Sequence, residues 1–232
     1  MERLDVTERL VSRLIREVVP LVEGATGWGL KIESLRSRVL PKDQGYEEVV
    51  LGRLRAAGVA FDDDAPRSLV ERLLEYVVEG NVLGAYQPRT EELLIIRENV
   101  DDSNLDGLRV VVAHELVHRG QHVNHGPLFG RVDTAAREAF ECIARGGSMR
   151  EVRAKINTIK PVMTLLESHA YYVQEMLRRA YYPDAVIESH FSFPALLLRL
   201  FGRAKLSQYR EGVPVVAAAM ARGNIDSLYL DL

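Results

Sequence analysis

The chain has a single cysteine, Cys142, among 232 residues. One thiol cannot build an internal disulfide framework or a cysteine-rich zinc site, and it suits a reducing compartment, so a cytoplasmic location is expected. Positive charge is not in excess: 30 basic residues stand against 33 acidic ones, for a net charge of -3. With the two signs interspersed, the basic surface that a phosphate backbone requires is missing, and no nucleic-acid partner is expected. No apolar run is long enough to span a bilayer, so no membrane partner is expected either. The segment from Met1 to Pro20 mixes acids and arginines on an amphipathic pattern without an uninterrupted apolar stretch, and reads as folded chain, not as a signal peptide. Lysine is scarce, 5 residues against 25 arginines, and implies no function. Repeats and low-complexity linkers are missing too. What is present is 47% hydrophobic content, ample for the core of a globular protein.

Residues 4 to 20 have the periodicity of an amphipathic helix ending near Pro20, with Gly24, Gly27 and Gly29 following as breakers. Leu30 to Leu40 alternates as a strand. Helical segments are expected over roughly 44 to 57 and 66 to 79, separated by the solvated acidic run Asp62-Asp63-Asp64. Val82 to Gln87 and Leu93 to Val100 are short apolar runs flanking Pro88-Arg89-Thr90-Glu91-Glu92, the pattern of a hairpin. Asp101-Asp102-Ser103-Asn104 supplies N-cap candidates for a helix beginning near Leu105. Beyond Gly126-Pro127, further helices are expected at about 132 to 144, 149 to 159, 161 to 180, 193 to 202 and 204 to 222. The expected fold class is α+β and mostly helical. Residues 1–104 form a small sheet with helices, packed on a central helix that opens a helical half over 105–232, the two making one compact unit.

That central helix carries His114-Glu115-Leu116-Val117-His118. Histidines four residues apart on a helix lie one turn apart on one face, so both imidazoles can reach a single ion. Glu115 would project beside the metal and could take the proton of an attacking water. A shuffled chain of this composition would hold such a motif on the order of once in a hundred. The apolar stretch Val110-Val111-Val112-Ala113 would bury the helix on its other side.

A catalytic Zn2+ takes three protein ligands and leaves a position for water, so a third ligand is required. His122 lies another turn along the same helix, too far from His114 to share an ion easily, and reads as cleft lining or solvated surface. The metzincin extension needs Gly at 121 and His at 124, where the chain has Gln121 and Asn124. Asn124-His125-Gly126 resembles the third-ligand segment of SprT-like proteases, which keeps His125 a candidate. Cys142 lies downstream of the motif, whereas deformylases use an upstream cysteine. Glu167, 49 residues after His118, is the leading candidate; its helical face also holds Met163, Ala170, Tyr171 and Gln174, and a solvated-face role stays open. His169 is about 200° away around that helix and reads as a core histidine or one that supports a ligand.

Glu167-Ser168-His169-Ala170-Tyr171-Tyr172-Val173 resembles the Glu-Gly-x-Ala-x-Tyr-Val segment that supplies the glutamate ligand in gluzincins, with Ser168 where Gly is common. Three segments together resemble the zincin-like metallopeptidase type 2 family: His114 to Gln121, Glu167 to Ala170, and Lys205-Leu206-Ser207-Gln208-Tyr209-Arg210-Glu211-Gly212. The resemblance covers roughly 105 to 230; His122 stands where the family tends to have an aromatic, and the N-terminal part gives no clear match. It implies a zincin-like fold, His114, His118 and Glu167 as zinc ligands, Glu115 as the base, and a peptide or protein substrate. By the same analogy, the strand Leu93 to Val100 would be a sheet edge that docks an extended peptide. Tyr209 could donate to an oxyanion, although a tyrosine on such a helix more often packs. The alternative from another class is a zinc-bearing scaffold or regulatory protein without turnover. Nothing in the sequence specifies a substrate or an oligomeric state.

Overall fold

A computed structural model of the chain describes residues 5–52, 55, 58, 82–186, 207–230 and 232. The helices expected over 66 to 79 and 193 to 202 lie outside these residues. Helix α1 (Glu8–Thr26) is capped by the Thr7 side chain, which accepts from Leu10 N–H, and ends at Gly27, whose φ of 74° is left-handed. It runs through Pro20, where its end was expected. Pro20 is exposed, so the carbonyl that loses its donor can turn to water, while Val18, Val19 and Val22 carry the buried stripe onward.

Strand β1 (Arg36–Leu40) is shorter than the alternating stretch, because Lys31 turns left-handed (φ 47°) and Ile32–Ser34 coils into a 3-10 turn. Helix α2 (Lys42–Tyr46) runs into a π-helical turn, Glu47–Leu51. Strands β2 (Gly84–Gln87) and β3 (Glu92–Ile96) form the expected hairpin. The strand order is β1-β3-β2, with β1 parallel and β2 antiparallel to β3.

Strand β3 is therefore the middle of the sheet and not the docking edge expected along Leu93 to Val100. Its composition accounts for the place. Leu93 and Ile95 enter one core with Val11, Leu14 and Leu116, while Leu94 and Ile96 enter another with Val50, Phe129 and Met163. A strand covered on both faces is apolar at successive positions, whereas an edge strand alternates and carries charge. The edge that packs on the central helix is β2.

Helix α3 (Leu105–Ala144) starts where expected, with the Asn104 side chain accepting from Gly107 N–H at 2.6 Å. At Gly126-Pro127, where a break was expected, it kinks and continues. His125 leaves helical geometry (φ -134°, ψ 39°), because Pro127 has no N–H for the carbonyl four residues back and its ring crowds that turn. Leu128, Phe129 and Val132 then bury the next face. Helices α4 (Met149–Thr158), α5 (Lys160–Tyr181), α6 (Ser207–Ala221) and α7 (Ile225–Leu230) follow. The fold is α+β and mostly helical, as expected. Among the described residues no helix is long and apolar enough to cross a membrane.

Helix α5 packs between α3 and α6. At the α5–α6 contact, a Cβ on Gly212 would lie 2.9 Å from the Ser168 Cβ and against its hydroxyl. Gly212→Ala should therefore destabilise the chain by about 1–3 kcal/mol through overpacking. Thermal unfolding should show this as a Tm lower by roughly 2–12 °C. Because a mid-helix glycine itself costs about 0.5–1 kcal/mol, the check is a double-mutant cycle with Ser168→Gly, in which the double variant should be more stable than the sum of the single losses predicts; strict additivity would mean that this contact is not the source.

Candidate metal centre

His114 and His118 stand one turn apart on α3, and Glu167 reaches them from α5. His118 Nε2 lies 3.3 Å from Glu167 Oε1, and His114 Nε2 lies 3.8 Å from Glu167 Oε2. The candidate ligand atoms of all three residues fall within 4.8 Å of one another, and no fourth His, Cys, Asp or Glu joins the group among the described residues. The three residues are 4%, 4% and 5% exposed, so the cluster is shielded from bulk water. A tetrahedral site with bonds of about 2.1 Å has edges of about 3.4 Å, close to the two spacings above. Two imidazole nitrogens and a carboxylate oxygen are also a donor set that suits a borderline-soft divalent ion. The group could hold a metal ion.

The electrostatics agree. Burial alone would raise the Glu167 pKa, but the charge on His118, 3.3 Å away, and the adjoining His114 ring outweigh it and hold the carboxyl well below the usual carboxylate range. Burial also disfavours charge on His118, and there the Glu167 carboxylate prevails and raises the pKa to about 9. In the metal-free chain the buried carboxylate is thus balanced by a proton on His118. A divalent cation would displace that proton.

Both rings are held from behind. His114 Nδ1 lies 2.8 Å from Gln174 Oε1, and His118 Nδ1 lies 2.7 Å from Gln121 Oε1. An amide oxygen only accepts, so each ring donates its Nδ1–H and turns Nε2 toward Glu167. The Gln121 amide nitrogen donates to the Leu166 carbonyl at 2.8 Å and to the Tyr229 phenol oxygen at 3.0 Å. Because a carbonyl cannot donate, this assigns the two ends of the Gln121 amide. Sequence reasoning missed the supporting roles of these three residues. Gln121 sits three residues past His118, a helical spacing that could have marked it, and Gln174 shares the Glu167 face. Nothing local marks Tyr229.

Glu115 is fully buried, and its Oε2 accepts the backbone N–H of Tyr86 at 2.7 Å. Ile96 N–H donates to the Leu83 carbonyl, which by antiparallel alternation directs the backbone groups of Gly84 and Tyr86 away from β3. The sheet edge and the carboxylate beside the cluster are thereby in register.

The other candidates lie elsewhere. His125 Nε2 pairs with Asp226 Oδ1 at 3.0 Å, and its ring stacks on Tyr229 with centroids 4.2 Å apart. His122 Nδ1 meets the Tyr86 hydroxyl at 2.9 Å. Neither joins the ligand group. His169 is buried on the far side of α5, edge-on to Trp28 at 5.0 Å, and burial lowers its pKa to about 3, so the ring is neutral. The Tyr209 side chain lies outside the described residues. Arg119, 2% exposed, is a structural tie: it donates to the carbonyls of Leu30 and Lys31, to Ser34 and to the Tyr86 hydroxyl, and it pairs with Glu91 at 2.9 Å. It fastens the segment after α1 and the hairpin to the central helix. No protein-family model, curated protein or solved structure matches the chain.

Proposed function

We propose that the chain is a zinc-dependent hydrolase, a metallopeptidase of the zincin-like type 2 kind, that cleaves amide bonds in a peptide or protein. The observation that carries this reading is the convergence of His114, His118 and Glu167 within 4.8 Å, from two helices and with no fourth ligand among the described residues. Bound zinc would polarise the substrate carbonyl and make a water more acidic. His114, His118 and Glu167 hold the metal, with Gln174 and Gln121 keeping the two rings in the ligating tautomer. Glu115 takes the proton of the attacking water at a carboxylate oxygen as the water oxygen bonds to the amide carbon. It then hands that proton to the departing amine nitrogen as the C–N bond breaks. Strand β2, and not β3, is the sheet edge that adjoins Glu115, through the Tyr86 N–H. A cytoplasmic setting belongs to this reading because the one cysteine suits a reducing compartment.

Burial of the three ligands and Glu115, at 0–5% exposure, favours a second reading: a closed metal centre that only stabilises the chain. Metal analysis beside an assay on a mixed peptide library separates the two. The purified chain should carry close to one equivalent of zinc, a strong chelator should abolish cleavage, and added zinc should restore it. Zinc present without any cleavage supports the structural centre. No zinc and no uptake defeats both.

A further inference from the structure

The two histidines are supported differently. Gln174, which holds His114, comes from the same helix as Glu167, whereas the support of His118 continues out of the α3–α5 pair into α7. Gln121 has both amide hydrogens engaged, one on the Leu166 carbonyl and one on the Tyr229 phenol oxygen. Tyr229 is 4% exposed, and its oxygen also meets His169 Nδ1 at 2.7 Å. The phenol, with one proton and two lone pairs, accepts from Gln121 and bonds the His169 nitrogen in the direction that the histidine tautomer sets. Burial pushes the Tyr229 pKa well up, so that proton stays in place. The bonds form a chain directed as far as the phenol: His118 Nδ1–H to Gln121 and Gln121 N–H to Tyr229, whose oxygen is bonded in turn to His169 Nδ1. Each link fixes the orientation of the next.

We propose that Tyr229, on the C-terminal helix, is a positioning residue of the metal centre that acts through Gln121 to hold His118 with Nδ1 protonated and Nε2 directed at the ligand position. This rests on the metal-centre reading for its consequence, zinc affinity, though not for the hydrogen-bond chain itself. Helix α7 is also docked by a separate contact, Asp226, which accepts from Trp28 Nε1 at 2.9 Å and pairs with His125. That contact takes no part in the chain, so it supplies the control.

The test compares wild type, Tyr229→Phe and Asp226→Ala. Tyr229→Phe keeps the ring stacked on His125 and removes only the hydroxyl. Zinc affinity is read by chelator competition with Zn2+ alone, and exchange of the His118 Nδ1 proton is read by 15N-edited NMR on metal-free protein. Tyr229→Phe should weaken zinc binding by about 3-fold to 10-fold, less than the 10–100-fold typical of a residue bonded directly to a ligand. It should also speed exchange of the His118 proton, while Asp226→Ala leaves both near wild type. Unchanged affinity and exchange in Tyr229→Phe would overturn the proposal. So would equal shifts in Asp226→Ala, since loosened docking of α7 would then explain the effect. If wild type takes up no zinc, the metal-centre reading fails by itself, and the exchange comparison still decides whether Tyr229 positions His118.

Discussion

Glu115→Gln should leave zinc bound and lower amide hydrolysis by about 10²–10⁴-fold, the usual share of a positioned general base. The substitution is nearly isosteric, and its amide oxygen can still accept the Tyr86 N–H that the carboxylate accepts at 2.7 Å, so a fully buried position is kept filled and bonded. What is lost is the ability to take a proton near neutral pH. The measurement is kcat on a peptide found by the library assay, with metal content determined on the same preparation. Turnover equal to wild type would remove Glu115 from the chemistry. Loss of zinc together with turnover would place Glu115 among the groups that hold the metal.

Glu167→Ala should lower zinc affinity by roughly 10²–10³-fold, on the basis that about 10–16 kcal/mol of zinc binding is shared among four ligands in a structural site. His125→Ala should leave affinity unchanged, because its ring faces Asp226 and Tyr229. Competition with a chelator of known affinity reads both. The contrast is sharp because each residue was a candidate third ligand on sequence grounds, and only Glu167 lies beside His114 and His118. Zinc held normally by Glu167→Ala and lost by His125→Ala would reverse the assignment.

The parts of the site legible in the sequence were those that helical spacing encodes. His114 and His118 are one turn apart, Asn104 is a cap ahead of an apolar stretch, and the hairpin is two apolar runs around a proline turn. Glu167 was reachable through its segment and its order in the chain. The sheet order was not, because a hairpin signal says that β2 and β3 pair but not which of them takes β1 as its other neighbour. Pro20 and Pro127 misled in the same direction. Each was read as a stop, yet burial of Val22 in one case and of Leu128 and Val132 in the other outweighs one lost backbone bond. Tyr229 escaped altogether, since its partner Gln121 is 108 residues away and nothing near it repeats.

The central place of β3 has a consequence for hydrogen exchange. Its amides are bonded into ladders on both sides and covered by apolar cores on both faces, so they should exchange only when much of the molecule opens. Strands β1 and β2 have one ladder each, and of the two β2 is the more buried, with all four residues in the core. The Tyr86 N–H that holds Glu115 should therefore exchange slowly although it takes no part in the sheet ladder, because its partner and its strand are both buried.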